Sequence, residues 1–273
     1  MSPDVQQSAR TSDPTVVLVH GAFADASSWN GVVELLQREG RTVLAPPNPL
    51  RGIAADSAYL ASVLSQIDGP VLLVGHSYGG AVITNAARTA DNVVGLVYVC
   101  AFAPDEGELL IEVENGSKDS VLDTALVPSR YPTGQAGQTA TEFVIDTALF
   151  HEVFASDLPA EQTAVMAATQ RPVAEAAFTE PSGPPAWKTL PSWAVVGTGD
   201  RAAGADVVRS MARRAGAEIV ELEGSHVIMV SRPEPVTDVI GRALDAVRRP
   251  AGRIPAAREP HGGQAERIGE RSP

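Results

Sequence analysis

The stretch Val71-Leu72-Leu73-Val74-Gly75-His76-Ser77-Tyr78-Gly79-Gly80-Ala81-Val82 decides how the chain is read. Its apolar, β-branched opening predicts a buried parallel strand. Gly-x-Ser-x-Gly follows without a break, and Ala81 to Arg88 read as a helix. A turn this sharp needs neighbours with almost no side chain, which Gly75 and Gly79 supply, and it holds Ser77 strained with its hydroxyl at the carboxyl edge of the sheet. The amide of Tyr78, at the start of the helix, points into the same space and can donate to a developing oxyanion. Three fixed positions recur by chance in about one chain in ten of this length. The strand before and the helix after therefore carry the weight.

Upstream, Thr15 to Val19 is a strand ending in His20-Gly21-Ala22-Phe23, and Asp25 to Ser28 can cap a helix from Trp29 to Arg38, stopped by Gly40. Thr42 to Ala45 is a strand broken by Pro46-Pro47-Asn48-Pro49, and Ala54 to Ile67 a helix with Leu60, Val63, Leu64 and Ile67 on one face. Downstream, Val93 to Val99 is another apolar strand, and the pattern resumes at Trp193 to Gly197, which leads into Thr198-Gly199-Asp200. Ala205 to Gly216 reads as a helix, Glu218 to Leu222 as the last strand leading into Gly224-Ser225-His226, and Pro235 to Arg248 as the closing helix. Strands alternating with helices predict an α/β fold, a doubly wound and mostly parallel sheet, over residues 15–103 and 191–248.

Residues 104–190 interrupt this rhythm. They show short amphipathic helical pieces around Phe143–Phe154 and Glu161–Thr169 and no strand, and they are too long for a plain loop, so an inserted helical cap is expected. Fourteen Asp and Glu against four Lys and Arg give this segment −10 of the chain's net charge of −12. Of its large apolar residues (Leu109, Leu110, Phe143, Leu149, Phe150, Phe154, Met166, Phe178 and Trp187), most are expected in the core of the cap or its seam with the sheet, and about a quarter on a pocket over the sheet edge. Residues 1–14 read as a flexible leader and 249–273 as a disordered tail.

Across 273 residues, 44% apolar and 20% charged composition is that of a folded globular protein. The negative balance argues against nucleic acid and anionic membrane surfaces as partners and leaves a small-molecule substrate. One cysteine, Cys100, excludes an internal disulfide and a Cys-based metal site, and its apolar setting makes it a core thiol. No apolar stretch approaches a membrane span, and Met1 to Asp13 lack the blocks of a signal peptide, so a cytoplasmic location is expected. No His, Asp and Glu cluster has metal-ligand spacing and no dinucleotide-binding glycine pattern follows a strand, so neither metal nor cofactor is expected. The sequence is compatible with a monomer or a homodimer.

Serine chemistry needs a base, an acid to hold the base, and two oxyanion donors. Each has a candidate at the end of a separate strand, on the edge where such sheets bind ligands. His226 is the base and Asp200 the acid, in preference to Asp105 and Glu106 because Gly197 and Gly199 leave room for the turn. The amides of Ala22 and Tyr78 are the donors, and the order Ser77, Asp200, His226 is that of this architecture. Phe23, His76 and Val227 flank these groups and are expected on the substrate pocket. His20 and His76, beside glycines inside the motifs, also read as structural or supporting residues, and His151 and His261 as solvated.

His20-Gly21-Ala22-Phe23, Gly75-His76-Ser77-Tyr78-Gly79-Gly80, Gly197-Thr198-Gly199-Asp200-Arg201 and Gly224-Ser225-His226 arrive in an order that resembles the α/β-hydrolase superfamily over residues 15 to 248. More narrowly, the chain resembles small bacterial serine hydrolases similar to plant methyl-ester esterases and hydroxynitrile lyases. The resemblance implies Ser77, Asp200 and His226 as a triad, Ala22 and Tyr78 as oxyanion donors, and carboxylesterase chemistry without a cofactor. C–C bond hydrolysis, lactonase or perhydrolase activity at the same site, or a non-catalytic receptor, are the alternatives. The lyases carry a lysine where this chain has Val227, which argues against lyase activity. The fold hosts many reactions, so the resemblance leaves the substrate open.

Overall fold

The computed structural model describes residues 13–248, so most of the expected leader and the whole expected tail lie outside the described residues. Strand β1 (Thr15–Val19) is buried along its whole length. A 3-10 turn, Ala26–Trp29, follows; Asp25 caps it by accepting the Ser27 amide at 2.8 Å. Helix α1 (Asn30–Arg38), strand β2 (Val43–Leu44), helix α2 (Ile53–Leu64), strand β3 (Val71–His76), helix α3 (Tyr78–Ala86) and strand β4 (Val93–Val99) come next. The segment after β4 carries α4 (Leu110–Asn115), β5 (Leu126–Pro132), β6 (Thr139–Ile145), α5 (Phe150–Phe154), α6 (Ala160–Thr169), β7 (Val173–Ala174) and α7 (Ala176–Thr179). The chain then returns through β8 (Ser192–Gly197), α8 (Ala205–Arg214), β9 (Glu218–Leu222), α9 (Ile228–Ser231) and α10 (Pro233–Arg248).

Six strands form one sheet in the order β2-β1-β3-β4-β8-β9, and every neighbouring pair is parallel. β1, β3 and β8 are buried throughout, as expected for a parallel sheet covered on both faces. Helix α10 buries Val236, Val239, Ile240, Ala243 and Leu244, an i, i+3, i+4 stripe that covers apolar sheet and leaves its charges outward. All six strands point their carboxyl ends the same way, so the loops after β1, β3, β8 and β9 converge on one edge. No helix among the described residues is long and apolar enough to cross a membrane.

The inserted segment is not purely helical. β5, β6 and β7 form a second sheet, with β5 and β6 antiparallel in the register Leu126↔Ile145 to Pro132↔Thr139. Phe143, expected on a helix, sits in β6 opposite Pro128, and helix α5 starts only at Phe150. Pro128 and Pro132 break the strand pattern in the sequence because proline cannot donate to a ladder. β5 lies at the edge of its sheet, where that missing donor is tolerated. Gly134 and Gly137, at φ +86° and +73°, turn the chain between the two strands in a conformation that favours glycine.

Candidate active site

Ser77 joins β3 to α3 with φ +52° and ψ −125°, a left-handed conformation that costs a serine of order 1–3 kcal/mol and must be imposed by its surroundings. The surroundings impose it through close approach. A Cβ on Gly75 would lie 2.7 Å from the Gly79 carbonyl oxygen, and one on Gly79 would lie 2.5 Å from that of Val19. The Ser77 carbonyl accepts the amides of Gly80 at 2.9 Å and Phe102 at 3.2 Å, and its own amide donates to Val99. Tyr78 opens α3, so its amide has no partner within the helix. The Tyr78 side chain turns the other way, where its hydroxyl donates to the buried Asp56 carboxylate at 2.7 Å. Asp56 also accepts the Arg51 amide at 3.1 Å, and burial raises its pKa above the ordinary carboxylate value.

His226 and Asp200, from the loops after β9 and β8, meet in the interior, each 1% exposed. Nδ1–H of His226 donates to Asp200 Oδ2 at 2.8 Å, which leaves Nε2 as the nitrogen free to take a proton. The other carboxylate oxygen, Oδ1, accepts the amides of Ala202 and Ala203, both at 3.0 Å. The acid is thus fixed by its own loop, and it fixes the imidazole in turn. Asp105 and Glu106 lie elsewhere, and Lys188 pairs with Asp105 at 2.6 Å.

Three further groups hold this pair. His76 lies under His226 with ring centroids 4.7 Å apart, and its Nε2–H donates to the His226 carbonyl at 3.0 Å. Burial holds His76 well below the ordinary histidine value, so it is a neutral donor. Asp157, from the loop between α5 and α6, accepts the amide of Ser225 at 3.0 Å and the hydroxyls of Ser225 and Ser231 at 2.5 and 2.7 Å. It clamps the residue beside His226 from the inserted segment. Cys100 is buried and accepts the Gly197 amide at 3.2 Å, and burial pushes its thiol well above the ordinary cysteine value.

Ala22, Phe23, Ser77 and His226 line one small cavity with Phe102, Leu122, Phe154, Phe178, Ala202 and Ala203. About 10 Å³ of free space remains in it, roughly one water molecule. Ser77 and His226 share its wall, and the hydrogen bonds among the described residues include none between their side chains. Phe154 and Phe178 reach it from the inserted segment, as expected of part of its apolar content. Two sequence expectations need correction. His76 and Val227 do not line this cavity: both are fully buried, His76 beneath His226, where its Nε2–H is taken up by the His226 carbonyl, and Val227 in the apolar core. Sequence reasoning also missed Asp157, which lies 68 residues from Ser225 and carries no motif. His20 is structural as expected. Its Nε2 accepts the Asn48 amide at 2.9 Å, and burial lowers its pKa to about 4.

Residues 16–239 match the model of the alpha/beta hydrolase family. The chain is similar to the carbendazim hydrolyzing esterase of a Nocardioides species, with 36% identity over 108 residues, 35% of this chain and 45% of that protein. It is also similar to the pyrethroid hydrolase of Sphingobium wenxiniae, with 34% identity over 100 residues, 32% of this chain and 35% of that protein. The chain spans less than half the length of these curated relatives. In fold it is similar to the crystal structure of polyneuridine aldehyde esterase, with a TM-score of 0.70 at 21% identity over 87% of this chain and 100% of that one. The chain belongs to the alpha/beta hydrolase family.

Proposed function

We propose that this alpha/beta hydrolase cleaves carboxylic esters of small to medium apolar substrates through an acyl-enzyme intermediate. The observation that carries the reading is the buried His226–Asp200 hydrogen bond of 2.8 Å at the cavity that Ser77 also lines. The names of the two curated relatives, an esterase and a pyrethroid hydrolase, support ester cleavage.

In this reading the Ser77 oxygen attacks the ester carbonyl and its proton passes to His226 Nε2. Asp200 holds the imidazole in the required tautomer and balances the imidazolium. The carbonyl oxygen, now an alkoxide, is held by the amides of Ala22 and Tyr78, each worth about 3 kcal/mol. Collapse of the tetrahedral species expels the alcohol, which takes the proton from His226. Water then loses a proton to His226 and attacks the acyl carbonyl; the second tetrahedral species collapses with Ser77 Oγ leaving, and Oγ takes that proton back as the carboxylic acid departs. The reading requires Ser77 Oγ to meet His226 Nε2, a contact that tightens in the substrate complex. A cytoplasmic location fits a chain whose single cysteine is buried and unpaired.

The test is labelling with a fluorophosphonate probe, with the adduct located by mass spectrometry, alongside turnover of 4-nitrophenyl acetate. Labelling confined to Ser77 and abolished, with turnover, in Ser77→Ala supports the reading. An unlabelled wild type that hydrolyses no ester overturns it.

A further inference from the structure

The cavity at Ser77 and His226 has room for about one water molecule, too little for either arm of an ester. A second pocket of about 330 Å³ opens on the far side of Phe23, between the Phe23–Ser28 loop and helix α6. Phe23 belongs to the walls of both spaces and is 2% exposed. Its backbone sits at φ +58°, in the left-handed region that a bulky side chain rarely adopts. Its ring is wedged between Phe154 and Phe178, at centroid distances of 6.3 and 6.5 Å.

The chemistry of the outer pocket is uneven in a useful way. Ala24, Val165, Met166 and Val230 give it apolar walls. Several of its polar side chains are already committed to the protein. Asp25 accepts the Ser27 amide at 2.8 Å, the Ser28 hydroxyl donates to the Asp25 carbonyl at 2.7 Å, and that of Thr169 donates to Val165 at 3.0 Å. Gln170 exchanges two hydrogen bonds of 2.8 Å with the Ile145 backbone. Among the described residues no cation lines the pocket, and Asp25 is the one charged residue in its wall. Such a site takes a neutral group by contact and has nothing to pair with an anion.

We infer that this outer pocket is a subsite for the larger, uncharged apolar arm of the substrate, an aryl or branched alkyl group. Phe23 is the partition that sets how that arm reaches the carbonyl at Ser77. The inference rests on the hydrolase reading above. Met166, an adaptable side chain on α6, tunes the shape of the pocket, and Val165, 63% exposed, forms its rim.

The experiment measures kcat/KM for two ester series, one with the bulk on the acyl arm (4-nitrophenyl acetate against 4-nitrophenyl benzoate) and one with it on the alcohol arm (ethyl acetate against benzyl acetate). Met166→Trp fills the pocket, and Val165→Trp at the rim serves if the first variant does not fold. Fluorophosphonate labelling of Ser77 in each variant verifies that the reaction centre is assembled. The expected result is a fall of at least tenfold in the bulky-to-small ratio in one series, which identifies the arm bound; Phe23→Ala raises the same ratio. Unchanged ratios in both series with labelling intact overturn the subsite and leave the hydrolase reading standing. Absence of labelling and of turnover in the wild type overturns the hydrolase reading and the subsite with it.

Discussion

Gly21→Ala tests whether the strained serine is held by crowding. A Cβ at Gly21 would lie 2.6 Å from Ser77 Cβ and 2.9 Å from both His76 Nδ1 and the His76 carbonyl oxygen. Carbon atoms rest at about 3.5–4.0 Å, so the overlap with Ser77 is roughly 1 Å. Neither side can retreat freely, because β1 and β3 are locked in a parallel ladder up to Val19↔Gly75. Overpacking of this kind costs about 1–3 kcal/mol, which at this chain length lowers Tm by about 2–12 °C. A displacement of about 1 Å at a nucleophile costs on the order of 100-fold in rate. The expected outcome is therefore a fluorophosphonate labelling rate at 25 °C that falls about 100-fold in a protein that is still folded. Gly40→Ala is the control: its φ is +73° and nothing lies within 4 Å of the added carbon. It should lose about 1–2 kcal/mol of stability from backbone strain and keep its labelling rate. A Gly21→Ala protein that labels at the wild-type rate would refute the crowding account, as would an equal rate loss in Gly40→Ala.

Asp200→Asn should leave binding nearly intact and lower kcat by about 10⁴-fold, the cost of the wrong imidazole tautomer in the serine-protease triad; steady-state kinetics with 4-nitrophenyl acetate read the split between kcat and KM. Asp157→Ala removes three hydrogen bonds, two from Ser225 in the loop carrying His226 and one from Ser231 at the end of α9. With the exposure of that carboxylate discounted, a loss of about 1–2 kcal/mol is expected, read as a lowered urea midpoint together with a slower labelling rate, and no change in either contradicts the clamp. The pH dependence of stability contains opposed contributions. His20, lowered to about 4 by burial, makes stability fall as pH drops from 6.5 toward 4, because the unfolded chain takes up the proton first. Glu114, raised to about 7 by burial, acts in the other direction, because its neutral form is favoured in the folded state. Glu114→Gln should therefore steepen the loss on acidification by about 2 kcal/mol between pH 6.5 and 5, and urea unfolding at the two pH values with the wild-type slope would contradict that assignment.

The parallel sheet was legible because its inner strands β1, β3, β4 and β8 are nearly continuous apolar runs, and buried strands admit little else. Ser77, Asp200 and His226 were legible for a related reason: each follows the carboxyl end of a strand, and topology brings those ends to one edge. The hairpin of β5 and β6 was hidden by Pro128 and Pro132, which break a strand pattern in sequence and yet are tolerated at an edge. His76 and Val227 were misplaced because adjacency along the chain was taken for adjacency in space. Asp157 offered no local signal at all. Its role arises from a contact between two segments whose spacing no periodicity records.

That contact also bears on how such proteins are recombined. A chimaera that joins this sheet to another relative's inserted segment would keep Ser77, Asp200 and His226 and lose Asp157. Ser225 and Ser231 would then face solvent or an unmatched surface. The Arg214–Glu108 pair, whose guanidinium also reaches the Ala103 carbonyl, and the Arg51–Glu142 pair join the same two parts of the chain. Segment exchange in this protein is therefore a transplant with at least three sutures, and the one at Asp157 ends on Ser225, the residue before His226.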